Sequence, residues 1–376
     1  MTSTQLSRAR QRGLSLVELM IGLTIGLFLT LGMFTLIANS SNVFKVQDDF
    51  ARMQENASSA MRYISTSLRS AGFYGYAADF SLINTTGGAV STVNDCGSAT
   101  NIPASNWALN LEFPVFGLAG LPQSGINATV PCITALNYLE INGGQQILVT
   151  RGALGARITD PNSDGDLSDG IATVRNFQTT IFLQASPVRG LIFYGNDFAT
   201  HKASGLAIPL ANGNDVDIFE YATHVYYLRP CSRFATGVTT CTAAADDGRP
   251  IPTLARQELV GSTMTEIALA EGIERMALLY GIDNAPFGAL DGVADFYTTT
   301  PGDWVNVVSV RVTLLVRSTL LNPQYDDSTK TYDLNGDNVV DYRCTTDIAT
   351  PAACNYKRKV FSQLVQLRNI AQRRGM

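Results

Sequence analysis

From Leu14 to Ala38 the chain reads LSLVELMIGLTIGLFLTLGMFTLIA, apolar throughout except for small hydroxyls and one carboxylate, Glu18. At about 1.5 Å per residue this run is long enough to cross a bilayer. After Ala38 the polarity rises but a period persists. Val43, Val46, Phe50, Met53, Ala57, Ala60, Ile64, Leu68 and Ala71 follow one another at steps of three or four, which makes one apolar stripe on an amphipathic helix. No proline occurs before Pro103, and Gly72 and Gly75 offer a stop. The pattern predicts a single helix of about 55 to 60 residues, half in lipid and half packed on a soluble head.

Beyond residue 75 the texture changes to short β-rich runs divided by Gly, Pro, Asn and Asp. Gln146 to Thr150, Ala172 to Leu183, Leu191 to Tyr194, Asp217 to Leu228, Glu274 to Tyr280, Trp304 to Arg317 and Lys359 to Leu367 read as strands. In WVNVVSVRVTLLVRS, Val308, Val310, Val312, Leu314 and Val316 would face one side. Ser309, Arg311, Thr313 and Arg317 would face the other, the alternation of a sheet with one wet face. The expected fold is α+β, with an antiparallel, β-rich head packed on the long helix.

Composition narrows the class. The 376 residues are 45% hydrophobic and 16% charged, as in a packed globular protein. A net charge of -5, with basic residues gathered at the two ends, argues against nucleic acid as a partner. Six cysteines, Cys96, Cys132, Cys231, Cys241, Cys344 and Cys354, fall in sequence-adjacent pairs with no CxxC and no His at zinc-ligand spacing. Disulfides are the better reading, and they require an exported head. Proximity would join Cys231 to Cys241 and Cys344 to Cys354, leaving Cys96 for Cys132, although six cysteines allow many other connectivities.

Arg8, Arg10 and Arg12 precede the apolar run without an acidic residue, so the positive-inside rule keeps the first residues in the cytoplasm. A secretory signal peptide would be cut near Ala38-Asn39-Ser40, but its apolar core is usually only about 7 to 15 residues long. A plain anchor fits the length and leaves Glu18 unexplained, since an ionisable group at that depth costs roughly 2.5 to 3.5 kcal/mol. Gly22, Gly26 and Gly32 interrupt the helix, and they suit either close packing in the membrane or a hinge.

Arg12-Gly13-Leu14-Ser15-Leu16-Val17-Glu18-Leu19 resembles the processing signal of type IV prepilins: a short basic leader ending in Gly, an apolar first mature residue, and Glu at the fifth mature position. Leu14 stands where Phe is commoner. The resemblance implies that a prepilin peptidase cuts between Gly13 and Leu14 and that the new Leu14 amine is methylated. It gives Glu18 a partner, the N-terminal amine of a neighbouring subunit, and such pairing removes most of the cost of burying either charge. It divides the chain into a leader (1–13), a membrane half of the helix (14–38), an amphipathic half (39–72) and a head (73–376).

Three further stretches sharpen the likeness: Gly272 to Met276 with Leu279 to Asp283, then Trp304 to Val312, then Val365 to Asn369. Together they look like the C-terminal half of PilW-type minor pilins, which are similar in role to J-type pseudopilins of type II secretion. This implies a low-abundance subunit that primes pilus assembly near the tip. Its partners would be other minor and major pilins, the prepilin peptidase, the inner-membrane assembly platform and a tip adhesin. The prepilin would sit in the bacterial inner membrane with its head in the periplasm, and reach the cell surface after assembly. The alternatives are a J-type pseudopilin and a membrane-anchored adhesin that does not assemble.

Enzymatic signatures are missing from the sequence: there is no GxSxG, HExxH or GxxxxGK. Only His201 and His224 occur, the latter within an expected strand, where a structural role is the usual one. No cofactor is expected, calcium excepted. Two acidic loops place side-chain oxygens at positions one, three, five and nine of a calcium-type loop: Asp160, Asn162, Asp164 and Ser168, and Asp333, Asn335, Asp337 and Asp341. Neither has a Glu at position twelve, and the same residues serve as solvated Asx turns. In either case Gly165 or Asn338 would take the left-handed conformation. The basic end, with Lys357, Arg358, Lys359, Arg368, Arg373 and Arg374, reads as a solvated edge strand and tail.

Overall fold

The computed structural model describes residues 15–77, 79–84, 90–92, 95–98, 107–158, 177–203, 217–284, 289–347 and 354–374. They fall into two compact units, Met1–Ala51 and Arg52–Met376. One helix, α1, runs through Leu16–Ser70. The helix meets the expectation in length, and Gly72, at φ 71°, takes the left-handed conformation just past its end.

The strands are β1 (Ile83–Asn84), β2 (Val115–Leu121), β3 (Gln145–Ile158), β4 (Ile181–Ala185), β5 (Gly190–Tyr194) and β6 (Ile218–Arg229). They continue as β7 (Thr253–Val260), β8 (Thr263–Glu271), β9 (Ile273–Ile282), β10 (Phe296–Thr298), β11 (Val307–Arg317) and β12 (Arg358–Gln366). They form two sheets. The larger has the order β1-β5-β4-β6-β3-β2, with β7 on β6 and β8 on β7; the smaller has the order β10-β9-β11-β12. Pairing is antiparallel except between β1 and β5.

The stripe on α1 divides. Met53, Ala57, Ala60, Ile64, Leu68 and Ala71 are buried, whereas Val43 and Phe50 are exposed. The buried part joins one core with Leu148, Tyr226 and Leu254 of the larger sheet and Met276, Leu278, Val310, Val312 and Leu314 of the smaller. Each large aliphatic side chain buried there contributes roughly 1.5 to 3 kcal/mol. A second core, with Trp107, Tyr138, Ile147, Val149, Leu183 and Tyr227, packs on the larger sheet, and a smaller one gathers Phe182, Phe193, Phe198 and Ile218.

Two expectations are corrected. The face of β11 that was to be wet is covered: Ser309, Thr313 and Arg317 are buried. Leu315, on that face, packs with Leu334, Tyr342 and Cys344, so the segment between β11 and β12 folds over the sheet as a second layer. A register shift near Val307 also brings Val307, not Val308, into the main core. The second correction concerns the basic end. β12 is an edge strand, but Lys357 and Arg358 are buried, and Arg368–Arg374 form a helix.

Of the expected strand Ala172 to Leu183, residues 172–176 lie outside the described residues; residues 177–179 are a 3-10 turn and β4 begins at Ile181. Trp304 to Asn306 likewise form a 3-10 turn before β11, with the Asp303 carboxylate accepting from Val305 N–H. The disulfides are Cys96–Cys132, Cys231–Cys241 and Cys344–Cys354.

Candidate functional site

The start of α1 follows directly on the residues that the sequence reading expects to be processed. Gly13 and Leu14 lie outside the described residues. Ser15 Oγ accepts from Val17 N–H at 3.3 Å, and a Glu18 carboxylate oxygen accepts from Ser15 N–H at 3.2 Å. This is a capping box: Ser and the Glu three residues on satisfy amides that the first turn would otherwise leave unpaired. Negative charge there also faces the positive end of the helix dipole.

Leu16–Ile37 is apolar over 22 residues, about 33 Å at the helical rise, and its large side chains are exposed. Its polar hydroxyls are turned onto the helix itself. Thr24, Thr30 and Thr35 donate to Met20 O, Gly26 O and Gly32 O at 3.0, 3.0 and 2.8 Å, so each finds a partner without water. A Cβ placed on Gly22, Gly26 or Gly32 would meet nothing within 4 Å, so any close packing at these glycines comes from another molecule.

Three devices tie the far half of α1 to the head. Gly152 on β3 lies so close to the end of α1 that a Cβ there would sit 2.4 Å from Ser70 O, a space only glycine leaves. Ser67 Oγ lies 2.9 Å from His224 Nδ1 and 2.6 Å from the Tyr226 hydroxyl, which in turn donates to Tyr63 O at 3.2 Å. Burial, together with the nearby Arg256 charge, pushes the His224 pKa down to about 3, so the ring is neutral at physiological pH. Last, Asn369 Nδ2 donates to Arg69 O at 2.9 Å and to Ala71 O at 3.2 Å, satisfying carbonyls at the end of α1 from the other end of the chain. The sequence placed His224 on a strand; it carried no signal for Ser67, Gly152 or Asn369 as its companions in this role.

The smaller sheet is held by buried charge. Arg358 reaches Glu274 at 2.6 and 3.1 Å and Asp327 at 3.1 Å, and Arg317 Nη1 lies 3.9 Å from Glu274. Asp327 also accepts from the Tyr325 and Tyr332 hydroxyls at 3.0 and 2.9 Å.

Of the two acidic loops, Asp160, Asn162, Asp164 and Ser168 lie outside the described residues. In the other, Asp333 accepts from Gly336 and Asn338 N–H at 2.6 and 2.8 Å, and Asp341 accepts from Leu334 and Asn335 N–H at 2.6 and 3.1 Å. Asp337 accepts from Val339 N–H, and Asn338 stands at φ 65°. The carboxylates are thus taken up by the loop's own amides, Asp337 in an Asx turn. Among the described residues no group of three or more His, Cys, Asp or Glu is placed to hold a metal ion.

Residues 238–369 match the family described as Type IV Pilus-assembly protein W, and residues 8–37 match the prokaryotic N-terminal methylation motif. The first match runs from β7 through β12 to Asn369, the residue that caps α1. No curated protein and no solved structure matches the chain. These domains point to a structural, non-enzymatic protein. A methylation motif opens the helix and a PilW domain both completes the head and caps that helix, and together they support a PilW-type minor pilin with a pilin-type role in pilus assembly.

Proposed function

We propose that this chain is cut between Gly13 and Leu14 by a prepilin peptidase, methylated on the Leu14 amine, and built into a type IV pilus near its tip, where it primes assembly with other minor pilins. Before assembly it sits in the inner membrane through residues 14–38, with residues 73–376 in the periplasm. The observation that carries this reading is the exposed apolar stretch Leu16–Ile37 opening on Glu18 and continuous with a helix the head grips from Met53 onward. An isolated anchor has no use for a carboxylate at that depth, whereas a helix destined to meet a neighbour's amine does. Three disulfides support an oxidising compartment for the head. The inner-membrane assembly platform and a tip adhesin are the further partners this reading names.

Mass spectrometry of the mature N-terminus is the test. The expected product begins at methylated Leu14; a product beginning at Ser41, or an uncut Met1 or Thr2, refutes the reading. Priming is tested apart from processing by deleting the gene: the expected result is loss of most surface pili with major pilin still present in the membrane.

A further inference from the structure

β12 pairs with β11 along its whole length and, among the described residues, with no other strand. Leu367 N–H donates to Val308 O at 2.8 Å, and Val365, Gln363 and Phe361 follow in the same phase opposite Val310, Val312 and Leu314. Along an antiparallel strand the N–H and C=O groups of alternate residues point to the same side. The odd-numbered residues of β12 therefore bond inward to β11. The amides and carbonyls of Val360, Ser362, Leu364 and Gln366 point outward, away from the sheet.

Such an edge is normally blunted by a proline, a bulge or inward charge. Between Lys359 and Gln366 there is no proline, the pairing with β11 shows no register shift, and Lys359 carries the only charge. Leu364 is 53% exposed. Beside the edge runs a groove of about 450 Å³ between α1 and β12, lined by Arg62, Ser65 and Arg69 on the helix and by Phe361, Ser362 and Gln363 on the strand. Among the described residues, no acidic one lines it. Arg62, Arg69, Lys359 and, just past the strand, Arg368 are exposed, so the edge is bordered by positive charge.

We propose that the outer edge of β12 takes up an extended segment of another polypeptide as an added strand, and that this segment carries Asp or Glu side chains. Main-chain hydrogen bonds to the four outward residues supply the register. Carboxylates reaching Arg62 and Arg69 across the groove supply the selectivity. A helix does not fit this description, because its own amides and carbonyls are already paired and cannot meet a row of free strand groups. The inference does not depend on tip placement or priming.

The full-length protein, carrying a photo-crosslinking amino acid at Gln366, is irradiated in cells that make pili, and the adduct is sequenced. The expected adduct is one segment bearing Asp or Glu within a few residues of the crosslinked site. Leu364→Pro removes an outward N–H without touching the ladder to β11. It should lower the yield roughly tenfold, the scale of about one hydrogen bond lost against a fitted partner. Arg62→Glu with Arg69→Glu should lower it by about as much through charge reversal. An adduct that survives both sets of changes, or one formed only with lipid or with an apolar helix, overturns the proposal. As a measurement on the unaltered chain, amide exchange at residues 360, 362, 364 and 366 should be fast in the purified protein and slowed in the complex. Equal rates in the two states would also overturn it.

Discussion

Arg358 donates to both carboxylate oxygens of Glu274, at 2.6 and 3.1 Å, with the two side chains 0% and 1% exposed. The pair joins β12 to β9 across β11, and Asp327 from the covering segment takes a third bond from the same guanidinium at 3.1 Å. One cation thus links both outer neighbours of β11 and the layer that covers them.

Removing one partner of such a pair leaves an uncompensated charge in the core. Glu274→Ala should cost roughly 3 to 5 kcal/mol, seen as a lower urea midpoint of the purified protein at neutral pH. Replacing the whole cluster, with Glu274→Leu, Arg358→Met and Asp327→Asn, should recover most of that loss, because neutral groups do without the desolvation cost and Asp327, which also pairs with Arg358, is not left as a buried charge. A Glu274→Ala variant as stable as the wild type would mean that the Arg358 charge is neutralised by groups other than Glu274, Asp327 first among them.

The difference between what the residues foretold and what the head contains follows from the range of each signal. The helix was legible because its period repeats over tens of residues and because Gly72 marks its end. Most of the smaller sheet was legible too, since β9, β11 and β12 are apolar runs with little else they can become. The dry second face of β11 was not: Ser309, Thr313 and Arg317 look like surface residues until Leu334 and Tyr342 fold over them. Arg358 misled for the same reason, since its partners lie 84 and 31 residues away. β7 and β8 were missed; on β8, polar Thr263, Thr265, Glu266 and Glu271 dilute the apolar alternation. At the start of α1, Glu18 was legible from the motif alone, whereas its bond to Ser15 is a matter of side-chain direction.

His224 makes stability depend on pH. Its folded pKa of about 3 lies below its ordinary 6.5, so the unfolded chain binds the proton more readily. The stabilisation is fully present above about pH 6.5 and is lost as the pH falls toward about 3, at up to about 1.4 kcal/mol per unit. Ser67 and Tyr63 on α1, Tyr226 on β6, and Arg256 with Glu258 on β7 surround or adjoin the ring, and the Arg256 charge deepens the cost of protonation. His224→Gln should flatten the slope of unfolding free energy between pH 7 and pH 5. An unchanged slope would place the pH sensitivity in the carboxylates.

The Cys344–Cys354 bridge closes the segment that covers β11, and Cys344 packs with Leu315, Leu334 and Tyr342. Cys344→Ser with Cys354→Ser should cost about 2 to 4 kcal/mol. The loss should appear first as protease cleavage between β11 and β12, because the local layer opens before the sheet does. Cleavage that begins elsewhere would show that the layer is held by the Arg358 cluster alone.

The loop from Asp333 to Asp341 is closed by its own amides: Gly336 and Asn338 N–H donate to Asp333, and Leu334 and Asn335 N–H donate to Asp341. A chelator should therefore leave the melting temperature unchanged, while Asp341→Ala should lower it by releasing two buried-side amides at about 1 kcal/mol each. A fall in melting temperature on adding EDTA would favour the calcium reading of this loop, and Asp333→Asn should then remove the effect.

A single substitution can separate the capping bond of Glu18 from the pairing with a neighbour's amine proposed for it. As a cap it accepts the Ser15 N–H at 3.2 Å, and the capping position takes Gln nearly as well as Glu. As the charge partner of a neighbour's N-terminal amine it needs its ionised form, which Gln lacks. Glu18→Gln should therefore leave the helix content, membrane insertion and cleavage before Leu14 as they are, while sharply lowering the amount of this chain recovered in sheared pili. Glu18→Ala should do the same and in addition fray the first turn, at about 1 kcal/mol for the lost cap. Full incorporation of the Gln variant would reduce Glu18 to a helix cap, and the pairing of charges between subunits would have to be sought at another residue.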